Sequence, residues 1–226
     1  MQTGKLGHSQ YYYQSKHMEK LILDAWAKTS TADIQYSVEF CLASSTEIST
    51  YVDKEKFDKL CLNGCPNFKK KWSCPPYAPI FMNFIANWNK LFTIYIHTNM
   101  SQFFYIKNDY LKIKAANSIL KSRADKFLRQ MAVKYGSYIS TGSCRLCKPC
   151  KCKIGQACAH PELMTYSFEA MGVDVGELVA GQFQKPLLWY KPHYLPEYTS
   201  VVCGLLTNDE ITVEGLQEEY LQHIKY

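Results

Sequence analysis

The stretch DIQYSVEFCLA (Asp33–Ala43) alternates side chains and is rich in Ile, Tyr, Val and Phe. That is the signature of a strand with one face turned inward. Two further runs, LFTIYIHTN (Leu91–Asn99) and TSVVCGLLT (Thr199–Thr207), carry the same β-branched enrichment, and SYIST (Ser137–Thr141) is a shorter one. Between them the period changes. Ala116, Ile119, Leu120, Ala124, Phe127, Leu128, Met131 and Tyr135 fall on one face of a helix over about residues 115–135, with Gly136 placed to end it. Met18, Leu21, Ile22, Ala25 and Trp26 predict a first helix near 16–28, and FMNFIANWNK (Phe81–Lys90) predicts another. Residues 44–60 are polar and end in a short charged helix.

Later signals continue the alternation. Pro161 suits the first turn of a helix closing at Gly172. Asp174 and Glu177 have the spacing of a capping pair. A last helix starts near Val213, with Leu216, Tyr220, Leu221 and Ile224 on one side. The order implies an α/β or α+β fold, a ferredoxin-like alternating strand/helix layer with two inserted cysteine-rich loops. At 226 residues, 47% of them apolar, the chain is expected to form a single domain, 1–226. Within it we distinguish an N-terminal helical extension over 1–32 and loops over 61–79 and 143–162.

The first twenty residues lack the apolar core of a secretory signal, and no run of 18 or more apolar residues appears. A cytoplasmic location is the expectation, with no membrane contact. In a reducing compartment the ten cysteines are expected to stay free thiols unless metal or catalysis holds them, rather than to form disulfides. Cys41 and Cys203, set in apolar strand runs, read as buried and inert.

The remaining eight fall in two groups. Cys61, Cys65 and Cys74 are spaced C-x3-C-x8-C, two of them followed by proline, with Lys69, Lys70 and Lys71 between. Three thiolates are one short of a closed tetrahedral site, so another ligand completes the set or one position stays open. Trp72 and Tyr77 flank this group, to wall off solvent or to pack in the core. Cys144, Cys147 and Cys150 are spaced C-x2-C-x2-C, with Cys158 following and Cys152 between as a spare or alternative ligand. The triple opens like the bacterial [4Fe–4S] run. Such a cube with four thiolates is an anion of roughly −2 to −3. Arg145, Lys148, Lys151 and Lys153 stand between the ligands and suit that charge, lowering thiol pKa values.

This local role makes nucleic acid a less economical explanation of the net charge of +6. Structural zinc is the rival, although all-cysteine zinc sites favour two C-x2-C knuckles. His160, Glu162 and Glu169 are the candidates for acid–base work, set against capping or solvated roles. Signatures of dinucleotide, nucleoside-triphosphate, zinc-protease and serine-hydrolase chemistry are absent.

The two loops resemble the bacterial and archaeal family of predicted metal-binding proteins, domain of unknown function 2284. Its first hallmark is matched by Cys61, Cys65-Pro66 and Trp72-Ser73-Cys74-Pro75-Pro76-Tyr77. The second is matched by Cys144, Cys147, Cys150, Gly155, Cys158, His160-Pro161-Glu162, Ser167, Glu169-Ala170, Gly172 and Asp174-Val175. The likeness covers roughly residues 50–207 and implies a bound metal. This chain differs in adding Cys152 and in carrying Ala159 where a basic residue is expected.

The expectation is thus an iron–sulfur protein with one or two [4Fe–4S] clusters, at Cys144, Cys147, Cys150 and Cys158 and at Cys61, Cys65 and Cys74. The alternatives are one cluster shared by both groups and a zinc-stabilised interaction module. A small-molecule substrate or a redox protein would be the partner.

Overall fold

A computed structural model describes residues 20–224. Its centre is a five-stranded sheet of β1 (Lys20–Lys28), β2 (Asp33–Ala43), β3 (Lys90–Asn99), β4 (Gly136–Ile139) and β5 (Tyr198–Thr207). The strand order is β1-β2-β3-β5-β4 and every neighbouring pair is antiparallel. The helices are α1 (Ser45–Ser49), α2 (Lys54–Gly64), α3 (Phe81–Ile85), α4 (Asp109–Tyr135), α5 (Val175–Phe183) and α6 (Val213–Ile224). The mixed helix-and-strand class is as expected, and the antiparallel sheet makes it α+β. The ferredoxin-like connectivity is present only in part. β3, α4 and β4 form one split β-α-β unit around β5. A ferredoxin-like layer needs a second such unit, and among the described residues no strand follows α6.

The sheet parity divides the core in two. Tyr36, Val38 and Phe40 of β2, with Phe92, Ile94 and Ile96 of β3, face Leu120, Ala124, Phe127 and Leu128 of α4 and Leu216 and Tyr220 of α6. On the opposite face, Cys41, Leu91, Tyr95 and Leu206 meet Ile48, Phe81, Ile85, Leu178, Val179 and Phe183 from the short helices. Each large apolar side chain so buried contributes on the order of 1.5–3 kcal/mol. Cys41 and Cys203 are buried in these layers as expected, and burial pushes the Cys41 thiol up to about 12.

Two predicted helices are corrected. Residues 20–28 form strand β1, because Leu21, Leu23, Ala25 and Ala27 alternate inward while Asp24 and Trp26 face out. Their pairing with β2 supplies the backbone hydrogen bonds that a helix would have made internally. The rest of the predicted 16–28 helix and of the 1–32 extension, residues 1–19, lies outside the described residues. The segment from Pro161 to Gly172 is likewise two short 3-10 turns, Pro161–Leu163 and Glu169–Met171, rather than one helix. Pro161 starts the first turn and left-handed Gly172 ends the second, so both end signals were sound. Between them the Tyr166 carbonyl accepts from Ser140 N–H at 2.8 Å, which holds the chain extended.

The long helix α4 begins about six residues before its predicted start. The Asn108 side chain caps it by accepting from Leu111 N–H at 3.0 Å. Gly136 closes it at φ 143°, where a Cβ would lie 2.4 Å from the Trp88 ring. The opposite face of the sheet buries one charge. Glu39 is fully enclosed and faces Lys20 at 2.8 Å, His97 at 3.2 Å and Lys185. Burial alone would raise its pKa, but the hydrogen bonds from His97, Lys185 and Lys20 outweigh it and hold the carboxyl at about 2.

Candidate metal centre

Helix α2 delivers the first two thiols. Asp53 caps its start by accepting from Lys56 N–H at 2.9 Å. At its end Cys65 N–H bonds the Cys61 carbonyl at 3.0 Å, so the two cysteines stand one turn apart. The chain then doubles back in a tight loop. Lys69 takes a left-handed φ of 57°, and its N–H bonds the Pro75 carbonyl at 3.1 Å. This fold-back returns Cys74 towards α2. Burial pushes the Cys74 thiol up to about 11, opposed by the Ser73 hydroxyl and Lys71, while Cys65 and Cys61 push it further up. The Cys61 thiol is also raised, first by burial, then by Cys65, Asp58 and Glu169. Without a metal these two thiols are protonated at neutral pH.

The second group leaves β4. Ser140 Oγ donates to the Gly142 carbonyl at 2.7 Å and turns the chain into the loop. Residues Lys151–Ile154 make a 3-10 turn ended by left-handed Gly155. Tyr166, beneath the loop, has a raised phenol pKa; burial is the main cause, followed by Cys158 and Cys144. These two cysteines therefore bear on one ring.

The two loops are joined directly. Lys71 Nζ donates to Ser143 Oγ at 2.9 Å and to the Cys144 carbonyl at 2.8 Å. Cys144 N–H donates to the buried Ser73 hydroxyl at 2.9 Å. The Trp72 indole donates to the Gln156 carbonyl at 2.9 Å, its ring 4.6 Å from that of Tyr77. Buried Cys152 points its thiol at the Lys69 carbonyl, 3.6 Å away. A neutral bond of this kind contributes about 0.5–1.5 kcal/mol and a charged one about 1.5–3. The set fixes 69–74 along 143–156.

A third segment clamps α2. Asp53 N–H bonds the Gly172 carbonyl at 2.8 Å, and Asp174 N–H bonds the Tyr51 carbonyl at 2.8 Å. Lys56 pairs with Asp174 at 2.8 Å. Gly172 sits at φ 93° with a would-be Cβ only 2.7 Å from Lys54 Cα, so no side chain fits there. Asp174 also caps α5, accepting from Gly176 and Glu177 N–H. The residues from Glu169 to Val175 thus position the helix that carries Cys61 and Cys65.

The expected site residues separate by environment. Cys61, Cys65, Cys144, Cys147, Cys150 and Cys158 are partly exposed, whereas Cys74 and Cys152 are buried. No disulfide joins any of them. Arg145, Lys148, Lys151 and Lys153 are exposed and flank the second loop from solvent. Lys151 and Lys153 do not lower the neighbouring Cys152 thiol, which burial and then Cys150 push up. His160 and Glu162 are exposed, while Glu169 is half-buried and its charge adds to the raised pKa of Cys61. Lys71 and Ser73 stand in the sequence only as members of a basic run and of the Trp72–Tyr77 motif, and Gln156 in none, so their task of joining the loops was not expected. The Trp72–Pro76 run contained the signal for Ser73, as a small hydroxyl that nothing in the strand and helix periods required.

Among the described residues, no three Cys, His, Asp or Glu side chains gather as a single metal ion requires. The donor chemistry still fits a soft metal, with eight thiols on two hydrogen-bonded loops and no carboxylate from Ser143 to His160. A cluster spreads its thiolates around an inorganic core, whereas one zinc draws four sulfurs to about 2.3 Å.

A family model described as predicted metal-binding protein (DUF2284) matches residues 45–204, more than half of the chain. The chain belongs to the DUF2284 family. The DUF2284 match runs from α1 into β5 and contains both cysteine loops and the Gly172–Asp174 clamp. Strands β1 and β2 and helix α6 lie outside it. No curated protein and no solved structure matches the chain. Among the described residues no helix is long and apolar enough to cross a membrane.

Proposed function

We propose that this member of the metal-binding family is a cytoplasmic iron–sulfur protein. Cys144, Cys147, Cys150 and Cys158 would hold a [4Fe–4S] cluster, and Cys61, Cys65 and Cys74 a second centre. Its work would be electron transfer, or redox or sulfur chemistry on a small molecule, alone or with a redox protein partner. A cluster of this kind passes single electrons, and an iron with an open position is also a Lewis acid.

The observation that supports this reading most is the lacing of two thiol-rich loops by Lys71, Ser73, Trp72 and Cys152. Each protein group then has a defined task. Ser73 and Lys71 set the second loop against the first. Trp72 and Tyr77 cover that seam against water. Arg145, Lys148, Lys151 and Lys153 balance negative charge at the rim, where exposure limits each to a modest effect.

The same lacing favours a second reading, one cluster shared by both loops. Anaerobic purification followed by iron and sulfide analysis tests both. Brown protein with about eight irons per chain supports two cubes, and about four supports one. Colourless protein with stoichiometric zinc would overturn the iron–sulfur reading in favour of a zinc-stabilised module.

A further inference from the structure

Beside the two loops lies a cavity of about 240 Å³, between α4, the loop after α5 and the edge of β5. It exists because β4 is short. β4 covers β5 only along Gly204–Thr207, so the β5 edge at 199–202 borders the cavity instead of a strand. Val175, Leu187, Leu188 and Val202 give it apolar walls.

Two opposite charges line this space, Lys121 and Glu169. Burial and then Arg145 lower the pKa of the Lys121 amine, while Glu169 and Asp125 oppose them. Yet among the described residues neither side chain makes an ion pair or a hydrogen bond. One turn further along α4, Asp125 accepts from Thr141 at 3.4 Å. Asn117, Thr141, Thr199 and Ser200 add polar groups to the same lining. A half-buried ammonium and a carboxylate left without a partner in one cavity are a ready-made pair of anchors for a ligand that carries both charges. A ligand that pairs with both would carry an anionic and a cationic group on a partly apolar body, and at about 240 Å³ the cavity is smaller than the roughly 300–1,000 Å³ of most ligand sites.

We propose that this cavity binds a zwitterionic α-amino acid with an apolar side chain, its carboxylate on Lys121 and its ammonium on Glu169. The β5 edge offers main-chain groups to the same ligand. Position links the cavity to both thiol loops. Glu169 bears on Cys61, and a Cβ at Gly142, at the root of the second loop, would lie 3.8 Å from Lys121 Nζ. That the amino acid is the substrate of the metal centre rests on the iron–sulfur reading; its binding does not.

The test is calorimetric titration of the full-length protein, as purified, with L-leucine, leucinamide and N-acetyl-leucine. Leucine should bind, and removing either charge should weaken binding by about ten- to a hundredfold, the size of a lost charge-assisted hydrogen bond. Lys121→Met should weaken leucine but leave leucinamide unchanged. Glu169→Gln should weaken leucine but leave N-acetyl-leucine unchanged. No binding of leucine, or equal binding of all three probes, overturns the proposal. If a variant fails to fold, the three-probe comparison on the wild type decides alone. Iron content, measured on the same samples, reports separately on the metal reading.

Discussion

The backbone N–H of Cys144 donates to the side chain of Ser73 at 2.9 Å, so a ligand candidate of one loop is held by a residue adjoining Cys74 of the other. Ser73 is fully buried, and the hydroxyl also lies 4.0 Å from Cys74 Sγ. Ser73→Ala leaves the Cys144 N–H without its acceptor. We expect a loss of about 1–3 kcal/mol in urea denaturation, together with lower metal retention. Unchanged stability and metal content would show that the seam does not hold the loops.

Cys152 and Cys158 should behave differently. The Cys152 thiol is buried against the Lys69 carbonyl, while Cys158 is partly exposed beside Tyr166. Cys152→Ala is expected to lower stability by about 1 kcal/mol, the size of one weak inter-loop contact, and to keep the metal. Cys158→Ala is expected to lose metal. Metal analysis of the two purified variants checks the contrast, and the reverse pattern would make Cys152 the ligand.

Gly172 is a test of the clamp on α2. At φ 93° and with Lys54 Cα 2.7 Å from the would-be Cβ, an alanine is both strained and blocked. Gly172→Ala should cost about 2 kcal/mol or more in thermal or chemical denaturation. It should also displace Cys61 and Cys65 and so reduce metal bound at the first group.

Glu39 predicts an acid limb. Its folded carboxyl is held at about 2, below the reference 4.5. A depressed carboxyl contributes stability that is complete above the unfolded value and is lost as pH falls through the folded one. Wild-type stability should therefore drop by about 3 kcal/mol between about pH 5 and pH 2 on this account. Glu39→Gln should be less stable near neutrality by about 3–5 kcal/mol, because Lys20 and Lys185 lose their buried partner. Its pH dependence in that window should be flatter. Denaturation of both proteins across the window measures each effect.

The strands and the long helix were legible because their faces obey a single period, as in Tyr36, Val38 and Phe40, or Leu120, Ala124, Phe127 and Leu128. β1 was not, because its inward row Leu21, Leu23, Ala25 and Ala27 ends in two small alanines. Exposed Trp26 and half-buried Ile22 lend the same segment a helical pattern. Strand order was hidden as well, since β5 inserts between β3 and β4 through contacts remote in sequence. The cysteine spacings marked both loops, but their junction depends on Lys71 and Ser73, whose tasks no spacing reveals. Lys121 was invisible for a similar reason: it is one polar residue on an amphipathic helix until β4 ends early and opens the cavity beside it.

The central claim is that the thiols of Cys144, Cys147, Cys150 and Cys158 grip one iron–sulfur core. Anomalous scattering at the iron edge, from a crystal grown without oxygen, tests it most directly. The account predicts a compact iron peak bonded to those four sulfurs. An iron-free loop, or a zinc peak in its place, would contradict it.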